Sequence, residues 1–191
     1  SATVFIGATA EDIPALYADN AVTATTPVAS GTNAVAIGTE SESTGTNSIA
    51  IGTNATTNSG VAIGYNAQTT SLYATAIGSD MSGNGAIGAG FGSVALGASR
   101  AGGTDSFAAA IASNSASYGA TGSNSIAMGL QAKANSTNGI SIGSSTQAAY
   151  QALAIGTFST ATASRSAAIG YANTASHANA IAIGSSVQST A

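Results

Sequence analysis

Large apolar residues return along this chain in pairs that straddle a small one. Val35-Ala36-Ile37, Ile49-Ala50-Ile51, Val61-Ala62-Ile63, Ile126-Ala127-Met128, Ile140-Ser141-Ile142 and Ile181-Ala182-Ile183 are six instances, each followed by Gly. With its substitutes, the second member of the pair falls at Ile37, Ile51, Ile63, Ile77, Ile87, Leu96, Ile111, Met128, Ile142, Ile155, Ile169 and Ile183. The commonest step is the one from Ile37 to Ile51, repeated from Ile63 to Ile77, Met128 to Ile142, Ile155 to Ile169 and Ile169 to Ile183. Alternation with period two predicts a strand. A repeat this short suits neither helical-pair repeats nor propeller blades. It predicts an all-β parallel β-roll of about 12 short coils, each made of two strands and two turns.

The second strand of each coil reads differently. Four and six residues past the anchor sit small residues, as in Ser41/Ser43, Ala55/Thr57, Ala67/Thr69 and Ala132/Ala134. Between and before them lie polar ones, as in Glu40/Glu42, Asn54/Thr56, Asn66/Gln68 and Gln131/Lys133. This predicts small residues inward and polar ones outward. Gly after the anchor, and Asn33, Asn47, Asn124, Asn138 and Asn179 before the strand, suit tight corners, because both types tolerate positive φ. On the anchor strand the expectation is Ile and Val facing the core. Ala36, Ala50, Ala62, Ala127 and Ala182 would then line the opposite face. One roll cannot cover both faces of a strand, and a strand apolar on both is usually covered on both. The alanine row is therefore expected to pack on neighbouring copies.

The segments "NSIAIGTNA", "NAVAIGTES", "NSIAMGLQAKA" and "NAIAIGSSV" carry a resemblance to the head repeats of YadA-like trimeric autotransporter adhesins. The resemblance implies a left-handed parallel β-roll and three chains side by side as a homotrimer. It also implies an extracellular role on a cell surface, holding a bacterium to host matrix, glycan or another surface. Residues 105–129 also resemble segments of marine bacteriophage fibre and structural proteins. That implies an alternative: a tail-fibre or appendage segment on a virion surface, acting as spacer, connector or receptor binder between adjoining modules. No neck, coiled-coil stalk or C-terminal barrel is read here, so membrane anchoring is not carried over.

Composition narrows the choices. Charged residues are 5% of the 191, and the basic ones are only Arg100, Lys133 and Arg165, spread apart. A nucleic-acid footprint needs a basic cluster, so none is expected. The chain has no Cys and one His, His177, which leaves no thiolate site and no typical zinc set. No apolar run is long enough to span a bilayer. Gly83, Gly85 and Gly88 match a dinucleotide-binding spacing, but that site needs a strand before and a helix after the loop. No enzyme and no cofactor is expected.

Two stretches break the repeat. Residues 1–32 are expected to form an N-terminal cap or joint, since solenoid ends need covering, with 33–191 as the roll. Within 78–129 the coils first shrink and then lengthen. Insertions in a solenoid map to loops, often on the binding face. Arg100, Asp105 and Tyr118, in the 98–123 stretch, are therefore the candidate attachment residues.

Overall fold

The computed structural model describes residues 26–112, 115 and 117–189. Most of the expected N-terminal cap lies outside the described residues. Val28–Ala29 is already a strand, paired in parallel with Glu42–Ser43, so the roll starts ahead of residue 33.

Two parallel sheets run the length of the molecule. The first has 11 strands, from Val35–Ile37 to Ile181–Ser185; the second has 12, from Val28–Ala29 to Gln188–Ser189. The chain alternates between them, so each strand pairs with the equivalent strand of the coils before and after. At about 4.8 Å per coil the roll is roughly 50 Å long. No described residue is helical. Strands stop after two to five residues because the corners demand φ values that strands do not use. The expected corner residues Asn33, Asn47, Asn124, Asn138 and Asn179 have φ of 53° to 63°. Glu40, Asn54, Asn66, Gln131 and Ser145, expected on the outer face of the second strand, instead occupy the other corner at 54° to 57°.

The second sheet faces as expected. Ser43, Thr57, Thr69, Ala101, Ala120, Ala134, Ala148 and Ala161 are buried. The first sheet is inverted relative to expectation. Ala50, Ala62, Ala127 and Ala182 are 0% exposed within a single chain, so these alanines line the interior and not an intermolecular face. Ala36, in the first described strand of that sheet, is half-buried and in register with Ala50. Val35, Ile37, Ile77, Met128, Ile181 and Ile183 point outward and are exposed. The reason is width. A regular corner spans only the four residues between Ile51 and Thr56, too few to separate two sheets by an Ile layer. Among the described residues, nothing larger than Asn or Thr is fully buried apart from Ile111. Some interior hydroxyls pair with one another, as Thr69 with Thr57 at 2.6 Å, Ser43 with Ser48 at 2.6 Å, and Ser141 with Thr146 at 2.8 Å, and others donate to a corner carbonyl, as Ser125 to Gly122 at 2.6 Å. Pairing removes most of the penalty of burying them.

Two anchors also move. Ile87 lies in the second sheet, paired with Gln68 and Arg100. Ile111 lies beyond the first-sheet strand Phe107–Ala109 and fills the roll's interior at the corner. Register makes Ala109 the anchor of that coil, opposite Leu96 and Met128. The first sheet therefore has 11 strands rather than 12.

Candidate attachment surface

Corrected register shows where the coils depart from the common length. The steps from Ile77 to Leu96 and from Ala109 to Met128 are equal to each other and longer than every other step between anchors. Both excesses fall at the same corner, between the first-sheet strand and the second. They run from Ile77 to Ile87 and from Ala109 to Gly119, two coils apart. The first is a small hairpin closed by an antiparallel bridge between Ser79 and Gly85. Asp80 organises it: the Ser82 and Asn84 amides donate to its carboxylate at 2.9 Å, and Asn84 Nδ2 donates at 2.8 Å. These hydrogen bonds, led by the Asn84 side chain, hold the Asp80 carboxyl below its ordinary value. Asn66 Nδ2 donates to the Gly83 carbonyl at 2.8 Å, and Met81 at the tip is fully exposed.

The expected site residues separate. Arg100 lies in a second-sheet strand on its outer, half-buried side. Tyr118 ends the second insertion beside Gly119, which is in register with Lys133. Lys133 Nζ sits 5.0 Å from the Tyr118 ring centroid, a cation–π contact. Arg100 and Lys133 thus flank Gly119 on one outer face. The Tyr118–Lys133 pair borders a shallow depression lined also by Gln131, Gln147 and Thr160. Asp105 is elsewhere, at the opposite corner with φ 51°, its amide donating to the Phe91 carbonyl at 2.8 Å. It fills the position that Asn33 and Asn124 hold in other coils.

That opposite corner carries what the spacing of large side chains did not reveal. Leu72, Tyr73 and Phe91 are exposed there, and the Tyr73 and Phe91 rings meet edge to face at 5.4 Å. Tyr73 holds φ 58°, a conformation costly for a bulky side chain. A hollow opens beside it, lined by Thr46, Asn47, Asn58, Ser59, Gly60, Leu72 and Tyr73. Its origin is the short coil from Ile51 to Ile63, two positions shorter than the coil from Ile37 to Ile51. The signal was present in that spacing. Lys133, too, was legible only as an isolated cation until register set it against Tyr118.

The family model described as the YadA head domain repeat (2 copies) matches residues 29–55, 58–80, 120–146, 149–171 and 161–186. This chain belongs to the YadA head family. The matched segments lie on either side of the stretch 81–119, which holds the insertion at 112–118. No curated protein matches the chain. YadA heads form a family of structural adhesin modules. Among the described residues there is no metal-type cluster of His, Cys, Asp or Glu. No helix among those residues is long and apolar enough to cross a membrane.

Proposed function

We propose that this chain is a head module of a trimeric, adhesin-type surface fibre, with the outer faces of three first sheets turned toward one another. The observation that carries this reading is the uncovered apolar face of the first sheet. Its outward positions hold Val35, Ile37, Ile77, Met128, Ile181 and Ile183, all exposed, and between them half-buried Ile, Val, Leu and Phe, with Thr75, Ala109 and Ala167 as the small members of the row. The row is continuous over 11 strands. Soluble monomers rarely expose so long an apolar patch, which marks an association surface. Membership in a family whose heads form homotrimers and stand on cell surfaces supports the same assembly and an extracellular setting. The roll then works as a rigid post, and attachment groups sit at its corners and on the outer face of the second sheet.

Sedimentation of the full chain tests the assembly. The native protein is expected to run as a trimer, and Ile142→Glu to run as a folded monomer at the same concentration. A native protein that stays monomeric at every accessible concentration would overturn the reading. Attachment is tested on the same samples, by binding to immobilised matrix protein and glycans. Loss of binding on dissociation is expected, because three weak sites engaged together gain about 100- to 10,000-fold in avidity.

A further inference from the structure

The hollow beside Tyr73 is the gap left by one missing peptide group. At this corner consecutive coils stack a peptide unit on a peptide unit. The Asn47 amide donates to the Thr32 carbonyl at 2.8 Å, Gly92 to Leu72 at 3.0 Å, Asp105 to Phe91 at 2.8 Å, and Asn124 to Thr104 at 2.7 Å. The column continues through Asn138 to Ser123, Gln151 to Thr137, Arg165 to Tyr150 and Asn179 to Ser164. In each pair the donor N–H belongs to one trans amide and the acceptor C=O to the amide of the preceding coil. The short coil has no such amide. Its chain passes from Thr57 through Asn58 and Ser59 directly to Gly60, which pairs with Ala74.

Two backbone groups therefore face the gap without a protein partner among the described residues: the Thr46 carbonyl on one side and the Tyr73 amide on the other. They stand two coils apart, roughly 9–10 Å. That span takes one trans secondary amide, which would donate to Thr46 and accept from Tyr73. Around the gap, the side chains of Thr46, Asn58 and Ser59 also have no protein partner among the described residues. Every lining residue is uncharged. The Tyr73 ring, 72% exposed and braced edge-on by Phe91, forms one border.

We infer that this hollow binds an N-acetylated hexosamine, its acetamido group standing in for the missing amide and its pyranose ring lying on Tyr73. The acetamido group supplies one N–H and one C=O in trans arrangement and ends in a methyl, so only the sugar side needs an exit. Neutral hydroxyl and amide groups of Thr46, Asn58 and Ser59 suit sugar hydroxyls. An anionic ligand would find no cation there. The inference deepens the attachment reading and rests on it for its biological use, but the site is complete within one chain.

The test uses the full chain and titration calorimetry with chitotriose, and with cellotriose as the matched sugar lacking acetamido groups. Chitotriose is expected to bind at least tenfold more tightly. Two variants localise it. Inserting Thr-Asn between Asn58 and Ser59 restores a coil of the common length and fills the gap. Tyr73→Asn installs the residue that the column uses elsewhere and removes the platform. Each is expected to lower chitotriose affinity at least tenfold with the melting temperature equal or higher. Equal binding of the two sugars, or full chitotriose binding by the filled variant, overturns the proposal. So does tighter binding of N-acetylglycine N-methylamide than of chitotriose, which would make the gap an amide site with no use for a sugar ring. Sedimentation of the same samples reports separately on the trimer.

Discussion

From Ile126 to Ser189 successive coils are nearly equal in length, whereas the stretch from Ile51 to Met128 holds both the shortest coil and the two longest. The interior does not register the difference. Ala62, Ala76, Ala95 and Ala108 in the irregular part are as completely buried as Ala154, Ala168 and Ala182 in the regular part. The ladders keep their register across both. All of the variation is absorbed at corners, where the chain leaves one sheet and has not yet joined the other. The strands fix the fold, and the corners carry whatever is particular to this chain.

The contrast is broken most severely from inside. Ala168→Glu, in the regular part, buries a carboxylate among Ala154, Ala161 and Ala182 with no partner, at an expected cost of several kcal/mol. Ser117→Glu, at an exposed position near the end of the insertion, is expected to leave the melting temperature within a degree or so of the native value. Thermal melts followed by circular dichroism compare them. Equal losses would mean that the insertion is packed as tightly as the roll.

Glycines sharpen the comparison at corners. Gly143 holds φ 124°, and a methyl there would be driven into the Gly156 carbonyl of the next coil. Gly97 holds φ 70° with nothing within 4 Å of the same methyl. Gly143→Ala is expected to cost roughly 3 kcal/mol, from backbone strain and the clash together. Gly97→Ala carries the left-handed penalty alone, about 1–2 kcal/mol. Denaturant unfolding of both variants reads the gap, and a reversed order would place the crowded stacking in the wrong part of the molecule.

The smallest effect is confined to the 79–85 hairpin. Hydrogen bonds from Asn84 and Ser82 lower the folded-state pKa of Asp80. A depressed carboxyl pKa stabilises the hairpin above its unfolded value and loses that contribution as pH falls through the folded value. Acid is therefore expected to open the hairpin and leave the roll's melting temperature unchanged. An NMR titration of the Asn84 amide checks this; a midpoint at the ordinary aspartate value would dissolve the Asp80 network.

Much of the fold was legible because its period is covalent. Anchor-Gly spacing gave parallel coils, the small inward residues of Ser43, Thr57 and Ala134, and the Asn corners. Hydrophobicity alone turns the first sheet inside out, because volume decides what so thin a roll can enclose. An interior of fixed width demands one size, and the unvarying alanine row is that demand. Ser48, Ser93, Ser106, Ser125 and Ser166, all buried and of the same strand parity as Ala, pointed the same way. The outward row, free of that limit, ranges from Ala109 and Ala167 to Phe107. Ile87 and Ile111 were misplaced because an Ile beside Ala imitates an anchor, while register is set by hydrogen bonding that no local string displays. Of the attachment residues, Arg100 and Tyr118 share a face and Asp105 does not, since the chain between Arg100 and Asp105 leaves the second sheet and reaches the opposite corner.

The outer column of the second sheet reads Val28, Glu42, Thr56, Gln68, Ile87, Arg100, Gly119, Lys133, Gln147, Thr160, Thr174 and Gln188. Acid, base, amide, hydroxyl, alkyl and bare backbone all occupy the same place in the coil. Such a column is a ruler marked at about 4.8 Å, on which each mark can be rewritten with little consequence for its neighbours. A lineage can change what this surface displays, one residue at a time, and keep the same rod.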